Sequence, residues 1–360
     1  MEDTKNTQTK EPKFWDIAPL LSQVDLDGMR PEIFMVSSNR SAGKTTNVNR
    51  YGVNQFLKKN KLFCLEYRFC YELDDVPDKF FGDIKGLFFP EYDMDMKKCG
   101  SGTTTIYSEL YLAKNGGEHE KCGYAVALNQ ADQIRKYAHK LNDSSVIIMD
   151  EFQSESDHYC PNETAKFQSV HTSLARGGGK MSRYLPVIMM SNPVSLLNPY
   201  YDLFDVAPRI VDNAKFIRGH GWVLEHHFNE SAAQAQSESR FNVACAGSDY
   251  AKYASQAVYL NDNKSMIGKK TGRNTYVATI RYKGDCYAIR QYDDGYYVDD
   301  KPDLTYGFKV AVTPNDIGQG YTINPRIFLS VMTDVFNSGH FMFKNLKCKE
   351  ALFKLLSRKV

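Results

Sequence analysis

"MVSSNRSAGKTTNVNRYGVNQFLKK" (residues 35–59) follows the pattern of a phosphate-binding loop, G-x-x-x-x-G-K-[ST], with one departure: Ser38 stands where the first glycine is usual. Asn39, Arg40, Ser41, Ala42, Gly43, Lys44 and Thr45 complete the loop, and Thr46 extends the set of candidate nucleotide ligands. Such a loop works through its main chain. Successive N–H groups wrap the phosphates, the next helix points its N-terminus at them, the lysine reaches the outer phosphates, and the hydroxyl of the last residue binds Mg²⁺. The apolar run "IFMVS" (33–37) before the loop reads as a buried strand. Thr45 to Lys59 has helical spacing, with Val48, Val53, Phe56 and Leu57 available for packing, and "KLFCLEYR" (61–68) reads as the next strand. Strand, loop, helix, strand is the signature of a parallel α/β unit.

Downstream, "SSVIIMDEF" ends four apolar residues (146–149) on Asp150 and Glu151. Acids at the C-terminal end of a buried strand lie on the edge where parallel α/β sheets bind ligands. Asp150 is the candidate magnesium residue with Thr45, and Glu151 the candidate that polarises the attacking water. A glutamate directly after the magnesium aspartate marks the P-loop ATPases that carry an additional strand between the two motifs (the ASCE class). "LPVIMMSN" (185–192) has the form of that strand, with Ser191 and Asn192 as sensor candidates at its polar end. Phosphoryl transfer also needs positive charge on the γ-phosphate, often an arginine from the next subunit. Arg176, opening "RGGGK", and Arg183 are both candidates for that finger.

Composition bounds the remaining choices. The 360 residues are 42% hydrophobic and 13% aromatic, enough for real cores, and their length indicates two domains or a domain with an extension. The 45 basic and 43 acidic residues nearly cancel, which excludes a simple polybasic nucleic-acid binder; a mild positive excess falls beyond residue 210. The polar N-terminus has no apolar segment of a signal peptide, and no run of about 18 apolar residues occurs, so a cytosolic protein without membrane attachment is expected. Eight cysteines without any C-x-x-C pair read as reduced thiols, and His226–His227 as an incidental pair rather than a metal site.

Residues 74–100 read as an irregular insertion with a short helix, and 103–128 as a hairpin turning at "NGG". Helices are expected over 129–141 and 162–175. Residues 209–248, rich in small and charged side chains such as "NESAAQAQSESR", read as a linker or an exposed helix. Beyond it, 275–300 alternates with period two and turns at "KGD" and "DDG", a three-stranded antiparallel meander, and two helices close the chain.

The segments "DEF", "YCPNETAKFQSVHTSLAR" and "MMSNPVSLLNPYYDLFDVAP" resemble the DNA-packaging ATPase (encapsidation protein) of φ29-like phages, specifically across residues 146–208 and in support over the phosphate loop, including Arg40. The resemblance implies that Lys44 and Thr45 are nucleotide ligands, Asp150 and Glu151 the magnesium and water residues, and Arg176 a finger acting in trans. It implies ATP and Mg²⁺ as cofactors and a ring, of five subunits, in the host cytoplasm on the portal vertex of a procapsid, drawing in double-stranded DNA. A packaging RNA between motor and capsid is a further implied partner. The C-terminal region resembles in position and pattern an RNase H-like nuclease fold of large terminases. Two-metal cleavage needs clustered carboxylates, and "TYVATIRY" has none, with Asp285, Asp293 and Asp294 in turns, so a vestigial, non-cleaving domain is expected. Lys264, Lys269, Lys270 and Arg273, and separately Lys58, Lys59 and Lys61, offer phosphate contacts for nucleic acid, with solvated basic loops as the alternative.

The expected architecture is therefore α/β: a P-loop ATPase domain over 1–208 with a mainly parallel sheet, a linker over 209–248, and a smaller α/β domain over 249–360. The competing functions are a helicase-like or virion-assembly P-loop ATPase, and a protein that keeps its nucleotide as a structural ligand; Glu151 argues against the latter.

Overall fold

The computed structural model describes residues 14–356 apart from 102–103, 157, 178, 180, 196–197, 207–208, 211–213 and 246–265. The chain divides into two compact units, Met1–Asn261 and Asp262–Val360.

Among the described residues, nine strands of the first unit form one sheet: β1 (Ile33–Ser38), β2 (Leu62–Tyr67), β3 (Tyr92–Ser101), β4 (Thr104–Lys114), β5 (His119–Ala127), β6 (Ser144–Asp150), β7 (Val187–Ser191), β8 (Phe216–Gly219) and β9 (Trp222–His227). Their order is β3-β4-β5-β2-β6-β7-β1-β9-β8. The six central strands run parallel, and β3, β4 and β8 add antiparallel edges. Strand β7 thus lies between the loop-bearing β1 and the acid-bearing β6, as the Asp-Glu pair led us to expect. Central strands covered on both faces need apolar residues at every position. Phe34 and Val36 enter one core while Met35 enters the other, and β7 divides in the same way. Helices α1 (Ala18–Leu21), α2 (Lys44–Lys59) and α3 (Asp83–Phe88) cover the first face. The second is covered by α4 (Ala131–Leu141), α5 (Glu163–Leu174) and α6 (Pro199–Leu203).

Two expectations change. Residues 74–100 hold short helical turns and α3, but Tyr92–Ser101 is a full strand paired with β4. Its "YDMDM" already alternates, with Met94 buried and Asp93 exposed. The supposed linker over 209–248 contains β8 and β9, and β9 pairs parallel with β1 along its whole length. "WVLEHH" lacked visible alternation because Trp222, Val223 and Leu224 are buried on both faces. Helices α7 (Glu230–Glu238) and α8 (Arg240–Ala244) follow, still within the first unit.

The second unit has a six-stranded sheet of β10 (Thr275–Tyr282), β11 (Asp285–Tyr292), β12 (Gly295–Asp299), β13 (Lys309–Ala311), β14 (Tyr321–Ile323) and β15 (Phe341–Phe343), in the order β14-β13-β10-β11-β12-β15. The first three form the expected meander; β13, β14 and β15 are too short to be read from sequence and join in parallel. Counted from β10, five strands lie in the order 3-2-1-4-5 with the second antiparallel to the rest, as an RNase H-like sheet requires. Helices α9 (Arg326–Asn337) and α10 (Leu346–Leu356) cover one face through Leu329, Met332, Leu352 and Leu355.

Candidate nucleotide site

The loop between β1 and α2 shows why serine is acceptable at its head. Ser38 lies outside the left-handed region, whereas Ser41 (φ 62°) and Gly43 (φ 88°) lie inside it. Gly43 carries the demand: a Cβ there would stand 3.2 Å from the Phe14 ring, on backbone that already disfavours side chains. Lys44 Nζ donates to the Ser38 carbonyl and to Ser38 Oγ, both at 2.9 Å, and to the Asn39 carbonyl at 3.2 Å. The serine hydroxyl therefore serves the loop lysine. Burial lowers the Lys44 ammonium to about 8, against the opposing pull of Asp150.

The remaining loop residues are tied to their surroundings. Asn39 exchanges two hydrogen bonds with the Asn229 main chain, Nδ2 donating to the Asn229 carbonyl at 3.0 Å and Oδ1 accepting from the Asn229 N–H at 2.9 Å. The Asn229 side chain caps α7 by accepting from the Ala232 N–H, and Gln236 of α7 donates to Ser41 Oγ at 2.8 Å. The segment expected to be a linker is docked on the phosphate loop. Arg40 forms an ion pair with Glu155 beyond the Asp-Glu pair.

Thr45 Oγ1 donates to Asp150 Oδ2 at 2.9 Å, across 105 residues of sequence. A hydroxyl and a carboxylate oxygen side by side are the hard oxygen donors magnesium prefers, so the pair fits that ion. Desolvation raises both the Asp150 and Glu151 carboxyl groups, and the Asp150 charge adds to the effect at Glu151. Glu151 has φ 51°, a left-handed conformation that an ordinary residue holds only when its surroundings impose it.

Those surroundings are a buried network with no sequence signal of its own. Arg68, just beyond β2, donates to the Glu151 and Phe152 carbonyls at 3.1 and 3.2 Å. Its Nε faces both oxygens of Glu163 at 2.9 and 3.0 Å. Glu163, in the "PNE" segment, also accepts from the Cys160 N–H and from the Tyr200 hydroxyl. Neither residue drew attention in the sequence; the resemblance of "PNE" was the available hint.

At the end of β7 the two sensor candidates part. Asn192 Oδ1 accepts from Lys44 Nζ at 3.2 Å, whereas Ser191 is buried opposite Ser37 in the β1–β7 register. Arg176 and Arg183 part as well. Arg183 donates to the Leu174 carbonyl at 3.0 Å, satisfying the end of α5. Arg176 is exposed and borders a cleft of about 690 Å³ with Arg135, Lys136 and His139. The last turn of α5 is fixed by His171, which meets the Leu185 carbonyl and lies 3.6 Å from Glu32, just before β1. Arg176 thus sits by the starts of β1 and β7, at the opposite end of the strands from its own phosphate loop.

Lys58 and Lys59 occupy the exposed last turn of α2, beside Lys61 and a full helix length from the loop, where they also complement the helix dipole. Lys270 is paired with Asp294 at 2.6 Å, while Lys269 and Arg273 are exposed. Lys264 lies outside the described residues. His226 and His227 end β9, and among the described residues no group of three or more His, Cys, Asp or Glu could hold a metal. All eight cysteines are free, and no described helix is long and apolar enough to cross a membrane.

The extra strand between loop and acids, with its polar end beside the lysine, puts the first unit in the additional-strand class of P-loop NTPases. Comparison identifies the family. The model of the Podovirus DNA encapsidation protein (Gp16) family matches residues 26–360, and the chain belongs to that family. It is a phage DNA-packaging protein. The chain is 22% identical over 329 residues to the DNA packaging protein of Bacillus phage phi29, covering 89% of this chain and 91% of the relative. With that of Bacillus phage B103 it shares 24% over 252 residues, 68% and 70% of the two chains. Its fold is similar to a chain of the bacteriophage Phi-29 viral genome packaging motor assembly (TM-score 0.65, 20% identity, 95% and 98% of the chains). It is also similar to the Phi-28 gp11 DNA packaging motor (TM-score 0.60, 14% identity, 96% and 99%).

Proposed function

We propose that this protein is the ATP-hydrolysing subunit of a ring that drives double-stranded phage DNA into a procapsid. The single observation that carries the catalytic reading is the convergence of Lys44, Thr45, Asp150 and Asn192 from three strand ends on one phosphate loop. Lys44 holds the outer phosphates and supplies charge as it builds up in phosphoryl transfer. Thr45 and Asp150 hold magnesium, which, when bound, neutralises phosphate oxygens. Glu151, its backbone held by Arg68, polarises the attacking water. Asn192 senses the γ-phosphate.

Arg176 supplies the finger to the site of the neighbouring subunit. Its exposure, and its position at the far end of the strands, support action on another molecule, and the tie of Arg183 to α5 favours Arg176 over it. The similar structures named as packaging motors support an assembly; a ring of five subunits on the portal vertex, formed in the host cytoplasm, and a packaging RNA belong to this same reading. The second unit binds nucleic acid or portal without cleaving DNA: its first central strand carries Thr279, whose hydroxyl is spent on the Asp303 carbonyl, and Arg281 where a nuclease needs carboxylates. Lys269, Lys270 and Arg273 are its candidate contacts among the described residues.

The test is ATP turnover by the purified protein with and without duplex DNA. Turnover stimulated by duplex DNA and lost in Glu151→Gln is expected; nucleotide binding without turnover under every DNA condition would contradict an ATPase in the isolated protein.

A further inference from the structure

Gln153 is 2% exposed, three residues past Asp150, and its Oε1 accepts from two successive N–H groups, those of Val194 and Ser195, each at 3.1 Å. Both belong to the loop that Asn192 begins. Pro193, between Asn192 and these two donors, has no N–H of its own. A main-chain bond from the Phe152 N–H to the Met190 carbonyl at 3.3 Å runs beside these two. The ends of β6 and β7 are therefore stitched together at the level of Glu151 and Asn192.

We propose that Gln153 is a positioning residue for hydrolysis, holding Asn192 against Lys44 in fixed register with Glu151. Both lone pairs of its carbonyl are used, while its buried Nε2 has no partner among the described residues. This position needs an acceptor rather than an amide, and an apolar side chain would fill the space without supplying one. Without the acceptor, the buried Val194 N–H loses its partner, which the loop relieves by swinging toward water and carrying Asn192 off the lysine. The phosphate loop itself is untouched by that movement. Nucleotide affinity then survives while turnover falls, because geometry at the reacting phosphate is what suffers.

This inference rests on the ATPase reading, and one experiment separates the two. Steady-state ATPase rates and fluorescent-ATP binding are measured for wild type, Gln153→Met (equal length, no acceptor), Asn192→Ala and the double variant. The expected result is a fall in kcat of about tenfold in Gln153→Met with nucleotide affinity nearly unchanged, and no further loss when Asn192→Ala is added. Wild-type kcat in Gln153→Met, a parallel loss of affinity, or losses that multiply in the double variant would overturn it. Should Gln153→Met not fold, Gln153→Asn, whose acceptor is one methylene short, serves the same comparison. A wild-type protein without turnover would overturn the ATPase reading and this inference together; wild-type turnover matched by Gln153→Met would overturn only the role of Gln153.

Discussion

Lys44 is the residue on which most of the site converges, and burial sets its behaviour. Its pKa of about 8 lies below the ordinary lysine value of 10.5, so the free protein keeps the ammonium below pH 8 and loses it above. Bound polyphosphate favours the charged form and moves that loss upward. Accordingly kcat/KM, which reports the free enzyme, should be flat on the alkaline side up to about pH 8 and then fall, while kcat falls at higher pH. The measurement is a pH–rate profile between pH 6 and about 10; a kcat/KM that stays level through pH 9 would show that Lys44 is not desolvated in this way. Ser38 is the complementary case. The pattern made it look like a defect, but the left-handed turns fall at Ser41 and Gly43, and its hydroxyl accepts from Lys44.

At the scale of elements, the strand ends around the loop depend on the buried Arg68–Glu163 pair. Glu163 holds an arginine, an N–H and a hydroxyl, and removing it leaves the Arg68 guanidinium without its carboxylate in the interior. Breaking a buried pair from one side costs about 3–5 kcal/mol. Glu163→Ala should therefore lower the unfolding free energy of the first unit by about that amount in urea titrations, whereas a loss below about 1 kcal/mol would place the pair among ordinary surface bridges. Here the limits of the sequence also become visible. The loop, the Asp-Glu pair, the strand between them and the helices over 129–141 and 162–175 were legible because each has a local pattern. β9 was hidden because its three apolar residues run straight into Glu225 and two histidines, too short a run to read as a buried strand, and β13 to β15 because three residues cannot display a period. Arg68 and Gln153 could not be found at all, and Glu163 only through the resemblance of its segment. Their roles come from partners tens of residues away, and nothing local distinguishes them from surface polar residues.

For the whole molecule, the decisive feature is that the proposed hydrolytic site and its best candidate finger lie at opposite ends of the strands. Asp150 meets Thr45 beside the loop that Lys44 anchors, with Glu151 next in the chain, while Arg176 stands exposed at the opposite end of the strands. An assembly that closes head to tail brings each finger to the next site, and so couples one subunit's chemistry to its neighbour's position. The C-terminal unit has an RNase H-like strand order, and the role proposed for it is contact with nucleic acid or portal without cleavage. The most direct test mixes two inactive proteins. Glu151→Gln keeps its finger and loses its water-polarising carboxylate; Arg176→Ala keeps the site and loses the finger. Each alone should be nearly inactive with duplex DNA. Turnover that reappears on mixing is the result expected, because Glu151→Gln subunits lend Arg176 to intact sites. Mixtures no more active than their components, or an Arg176→Ala protein as fast as wild type, would contradict a finger shared between subunits.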